Sequence, residues 1–133
     1  MSIETNQQSI KKDFTNLSKQ DIEMLLQGVK ENSTNLFVLQ EKFDNITKEF
    51  CEQAVKNNAF NFEYVPNKFI TEKMCQEVLE DNSSMFQDVP KKFITEKMCQ
   101  KAVKDDSDRF EYVPKKFKSF VSRLKRFDDI INF

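Results

Sequence analysis

Apolar side chains return along this chain in one fixed order. In residues 70–93, ITEKMCQEVLEDNSSMFQDVPKKF, Met74, Cys75, Val78 and Leu79 stand at i, i+1, i+4 and i+5, the spacing of one face of a helix about ten residues long. Thr71 occupies an N-cap position, and Glu72 follows where an acid favours the helix dipole. An Asp/Asn/Ser cluster ends this helix, and a shorter helical turn then carries Phe86 and Val89. Pro90 removes a backbone donor and biases Val89 away from helical dihedrals. The pattern predicts a long helix, a short one and a stop.

The same order appears elsewhere in the chain. Cys51, Cys75 and Cys99 are spaced by 24 residues, and so are Pro66, Pro90 and Pro114, a period that marks a repeat array. A diverged copy at residues 20–43 lacks both Cys and Pro but matches in the apolar columns. There Met24 falls with Phe50, Met74 and Met98, Gly28 with Ala54, Val78 and Ala102, Val29 with Val55, Leu79 and Val103, and Leu39 with Val65, Val89 and Val113. Asp44 and Asn45 lengthen the link that follows it.

One copy cannot cover its own apolar stripe, whereas stacked neighbours share a continuous core. The expected fold is therefore all-α, a short right-handed, solenoid-like array of about four helix-turn-helix repeats. Their bounds are residues 20–43, 44–69, 70–93 and 94–117, within a single domain spanning 1–133. The small residues of the Gly28 column would let first helices approach closely, and Phe62, Phe86 and Phe110 would fill the space between layers. Residues 1–19 are expected to form an N-terminal cap or tail, with Ile3, Ile10, Phe14 and Leu17 on one helical face. Residues 118–133 read as a basic C-terminal cap helix with Phe120, Leu124, Phe127 and Ile131 buried.

The repeats carry a recognisable signature. MCQKAVKDDSDRFEYVPKKF at residues 98–117, matched less fully by FCEQAVKNNAFNFEYVP and MCQEVLEDNSSMFQDVP, sets Met-Cys-x-x-Ala-Val-Lys before Tyr-Val-Pro. This resembles the tandem domain-of-unknown-function repeats of bacterial and giant-virus proteins, over about residues 46–117. The resemblance implies a helical repeat module and brings no catalytic motif with it.

Composition sharpens this picture. The 133 residues include one glycine, three prolines and fourteen phenylalanines, which suits a helical fold with large apolar anchors and not a turn-rich sheet. The chain holds 21 basic and 22 acidic side chains, so its overall charge gives no pull toward nucleic acid or membrane. The distribution differs, because residues 112–133 hold six basic and two acidic side chains. The N-terminal stretch MSIETNQQSIKKDF has no signal-like apolar run, no window reaches the roughly 18 apolar residues of a membrane span, and three cysteines fit reduced thiols. A cytoplasmic protein without membrane contact is expected.

Candidate chemistry is sparse. A zinc site draws on paired thiolates or imidazoles, and this chain has neither histidine nor a CxxC pair. Its cysteines hold equivalent repeat positions, where Leu25 stands in the first copy, so they read as small buried hydrophobes. Asp105, Asp106 and Asp108 fall in the link that carries Asn57, Asn58 and Asn61 in an earlier copy, and helix ending and capping account for them. No Gly-rich loop supplies an oxyanion or phosphate site. The expectation is a protein without catalytic residues, metal or cofactor.

Partner binding is the remaining class. Lys115, Lys116, Lys118, Arg123, Lys125 and Arg126 occur with no acid between Pro114 and Phe127, and aromatic residues lie among them. Such a run is either the solvated face of a cap helix or a surface for phosphates, a nucleoprotein or an acidic protein patch. Tyr64 and Tyr112, which share a column with Asp88, are further partner-binding candidates, since tyrosine is favoured in interfaces. The expected function is a non-enzymatic macromolecule-binding module, an adaptor or inhibitor acting on a protein or nucleoprotein. In its sharpest form this is a phage or mobile-element inhibitor of a host defence nucleoprotein, as anti-CRISPR proteins are. The alternative is direct RNA or DNA binding through the basic C-terminal helix.

Overall fold

The computed structural model describes residues 10–131, apart from the side chains of residues 127–129 and 131. These residues are mostly helical and belong to two compact units, Met1–Phe69 and Ile70–Phe133, taken here in turn. None of their helices is long and apolar enough to cross a membrane.

In the first unit a short strand, β1 (Lys12–Asp13), leads into a 3-10 turn at Phe14–Asn16. Helices α1 (Lys19–Lys30) and α2 (Leu36–Lys42) follow, then strand β2 (Phe43–Asp44) and helix α3 (Lys48–Asn57). Two 3-10 turns, Ala59–Tyr64 and Asn67–Phe69, complete it. A reciprocal capping box starts α1: Ser18 Oγ accepts from the Asp21 amide at 3.1 Å, and Asp21 accepts from the Ser18 amide at 3.4 Å. At its other end Asn32 takes a left-handed conformation (φ 64°), and the amides of Ser33 and Thr34 both donate to the Gly28 carbonyl. This reversal brings the Thr34 methyl within 3.3 Å of where a Cβ on Gly28 would sit, a close contact that the glycine avoids.

Helix α1 packs on α3, and its phase differs from the one the repeat alignment implies. Ile22, Leu25 and Leu26 are half-buried and Val29 is fully buried, whereas Met24 is 68 % exposed. At 100° per residue the first four share one face and Met24 falls on the opposite one. The expected burial of Met24 is thus corrected.

The N-terminal segment also departs from expectation. It is extended and 3-10 where one helical face was expected, with Ile10 72 % exposed and Leu17 half-buried; Ile3 lies outside the described residues. β1 pairs in parallel with β2, Lys12 opposite Phe43 and Asp13 opposite Asp44. Asn45, at φ 63°, donates from Nδ2 to Asp13 Oδ1 at 3.3 Å. The two extra link residues therefore seat the incoming segment. Phe14, 2 % exposed, meets Phe50 edge-on at 4.8 Å and Phe43 at 6.1 Å.

The second unit is built from α4 (Glu72–Asp81), α5 (Glu96–Asp105) and α6 (Lys115–Ile131), joined by 3-10 turns at Ser83–Asp88, Lys91–Phe93 and Ser107–Tyr112. Thr71 and Thr95 cap α4 and α5 by accepting from the amides of Met74 and Met98, each at 3.2 Å. The polar cluster after each helix caps the turn that follows: Asn82 accepts from the Ser84 amide and Asp106 from the Asp108 amide, both at 3.0 Å. The expected shorter helical turn is a 3-10 turn in the copies at 44–69, 70–93 and 94–117, and an α-helix, α2, in the copy at 20–43. α5 packs on α6 and on the turn Ser83–Asp88.

Cys75, Val78, Phe86, Cys99, Ala102 and Val121 form the most buried part of this unit. Phe86 has no exposed surface, whereas Phe110 and Met98, which share apolar columns with Phe86 and Met74, are only half-buried. Phe110 lies under α6, with Lys118 Nζ 5.4 Å from its ring centre. α6 begins at Lys115, directly after Pro114 and earlier than expected. Its inward face is led by Val121, with Phe120 and Leu124 half-buried beside it; the side chains of Phe127 and Ile131 lie outside the described residues.

Candidate functional site

The six basic residues of α6 are disposed by helix geometry. With Phe117, Phe120, Val121 and Leu124 turned inward, Lys115 and Arg126 fall on the outer crest at 100° per residue, together with Ser119 and Ser122. Lys116 and Arg123 form one flank, Lys118 and Lys125 the other. Lys115, Lys116, Arg123, Lys125 and Arg126 are exposed, and Lys118 is half-buried. All six lie on the outward half of one helix, over a stretch without a carboxylate.

The interleaved phenylalanines serve the interior. Phe117 and Phe120 are half-buried, and Lys116 Nζ sits 5.0 Å above the Phe117 ring. The same contact recurs where Lys92 covers Phe93 at 5.0 Å and Lys68 covers Phe69 at 5.1 Å. In both Pro-Lys-Lys-Phe segments, 90–93 and 114–117, the second lysine folds onto the ring, and the first, Lys91 or Lys115, is exposed beside a groove.

That groove, of about 600 Å³, brings Lys115, Lys118 and Tyr112 together with Lys91. Lys91 was not among the residues expected from sequence, although its place one period before Lys115 was the available signal. Tyr112 is 44 % exposed, and its hydroxyl donates to Glu111. That hydrogen bond, with the carboxylate's charge, raises the phenol pKa above its ordinary value.

Tyr64 belongs to the first unit and is not among the residues that line this groove. It is half-buried, its ring 5.4 Å from that of Phe37, and its carbonyl accepts from Gln40 Nε2 at 2.7 Å. Its hydroxyl is likewise held by the preceding Glu63, which raises its pKa.

The cysteines are sealed in the interior, Cys51 at 1 % exposure and Cys75 and Cys99 at 0 %. Burial pushes each thiol from an ordinary value of 9.0 up to about 11. Among the described residues no group of three His, Cys, Asp or Glu side chains is placed to hold a metal ion. A shift of two pH units lowers the thiolate fraction about 100-fold near neutral pH, so the native protein should react with a thiol reagent at least about 100-fold more slowly than the unfolded chain. Because the folded state favours the neutral thiol, this contribution to stability is complete below about pH 9 and is lost as pH rises toward 11. Urea titrations across that range should show the midpoint falling, and Cys→Ala variants should flatten the fall.

No known protein family, curated protein or solved structure matches this chain.

Proposed function

We propose that this chain is a non-enzymatic binding module whose basic α6 face docks on an acidic protein or nucleoprotein surface, acting as adaptor or inhibitor by occupancy. The observation that carries the reading is that Lys115, Lys116, Arg123, Lys125 and Arg126 are all exposed, over the outer crest and both flanks of one helix, without an intervening acid. A solvated structural face normally mixes charge signs, whereas a single-sign face steers association with a complementary surface. The repeat-array architecture and a cytoplasmic setting belong to the same proposal. A host defence nucleoprotein, as targeted by anti-CRISPR proteins, is a partner of suitable chemistry.

Direct recognition of single-stranded nucleic acid is the weaker reading. Such binding rests on aromatic platforms beside the basic groove, and here Phe117 and Phe120 face inward, which leaves Tyr112 as the exposed aromatic of the groove's lining.

Affinity capture from a host extract tests the proposal. Wild-type protein should enrich a protein or nucleoprotein set that is lost in the triple variant Lys116→Glu, Arg123→Glu, Arg126→Glu. A catch that nuclease abolishes would favour direct nucleic-acid binding, and no enrichment above background would reject the proposal.

A further inference from the structure

The groove beside α6 has the chemistry of a peptide site. Val89, Ile94 and Val113 supply an aliphatic floor, while Lys91 from the turn Lys91–Phe93 and Lys115 and Lys118 from α6 stand along it. Its single carboxylate is that of Glu111. The volume of about 600 Å³ lies within the roughly 300 to 1,000 Å³ of ordinary ligand sites.

We infer that this groove holds an acidic peptide segment of the partner, with one apolar side chain on the Val89, Ile94 and Val113 floor and carboxylates meeting Lys91, Lys115 and Lys118. Charge complementarity selects the occupant: three lysines from two elements line a strip that holds one carboxylate. The aliphatic floor between the lysines suits a leucine or phenylalanine side chain, whereas a stacked base would find among the lining residues one exposed aromatic, Tyr112. Tyr112, at the rim and 44 % exposed, adds an amphipathic contact of the kind that dominates interfaces. The inference rests on the proposed binding function and narrows it to one partner feature.

Fluorescence anisotropy at low ionic strength provides the test. The probe is a fluorescein-labelled peptide with one phenylalanine between two runs of glutamate. The pair Lys91→Glu, Lys115→Glu should weaken its binding by about tenfold or more, and replacing the peptide's phenylalanine with serine should cost a similar factor. The pair Lys56→Glu, Lys104→Glu applies the same net charge change outside the groove and should cost less than about threefold, reflecting steering alone. Circular dichroism melts of both pairs should match the wild type.

Several results would overturn the inference: equal losses in both pairs, indifference to the phenylalanine, tighter binding of a single-stranded oligonucleotide of equal charge, or no peptide binding by the wild type. If polyglutamate binding still depends on Lys116, Arg123 and Arg126 while the groove pair has no effect, the groove assignment fails and the wider function stands. If the wild type binds neither probe, both fail.

Discussion

Replacing Phe86 with alanine is expected to lower the free energy of unfolding by about 3 to 5 kcal/mol, the range for emptying a fully buried aromatic site. Phe86 has no exposed surface and belongs to the turn Ser83–Asp88, which packs against α4 and α5 in the second unit. Phe110 occupies the same repeat position one period later, but it is half-buried under α6. Phe110→Ala should therefore cost only about 1 to 2 kcal/mol, because part of its surface stays in water in the folded state. Urea denaturation followed by circular dichroism measures both. Equal losses would mean that burial does not distinguish the two copies.

The second large effect is expected at Asn61, a buried side chain 2 % exposed. Its Oδ1 accepts from the Leu36 amide at 2.9 Å, and its Nδ2 donates to the carbonyls of Asn58 at 3.0 Å and Ala54 at 3.4 Å. One side chain thus ties the start of α2 to the turn after α3. Asn61→Met installs the residue that stands at this position one copy later, Met85, itself 7 % exposed. The repeat pattern alone would call that change conservative. We expect a loss of about 2 to 4 kcal/mol, because the Leu36 amide is buried with no acceptor and two carbonyls lose a donor. The urea midpoint measures it, and a loss below about 0.5 kcal/mol would contradict the role assigned to this hydrogen-bond set.

The contrast between these positions shows where sequence reasoning succeeds. Thr71 and Thr95 as caps, the buried cysteines and the stops at Pro66, Pro90 and Pro114 follow from local rules that each copy repeats. Met24 failed because the repeat alignment overrode the helix's own phase, which Ile22, Leu25, Leu26 and Val29 already stated. The N-terminal segment failed for a different reason. Ile10, Phe14 and Leu17 fit helical spacing, yet the segment's partner is β2, some thirty residues away, and pairing across that distance leaves no local periodicity.

The candidate site was legible in part. The single-sign run from Lys115 to Arg126 gave the basic face, since helix geometry alone turns those residues outward. Lys91 and the aliphatic floor were not legible, because the groove exists only once the turn Lys91–Phe93 is brought beside α6. Tyr64 and Tyr112 share a repeat column and still differ in role: one packs on Phe37 and the other borders the groove. Equivalence of position did not carry equivalence of surroundings.

The basic face of α6 is the centre of this account, and its salt-dependent affinity for polyglutamate tests it most directly. Wild-type protein should bind at low ionic strength, weaken steadily as salt rises, and lose about tenfold or more in affinity in the triple variant Lys116→Glu, Arg123→Glu, Arg126→Glu with an unchanged melting temperature. Absence of binding at low salt, or binding that the triple variant leaves intact, would contradict it.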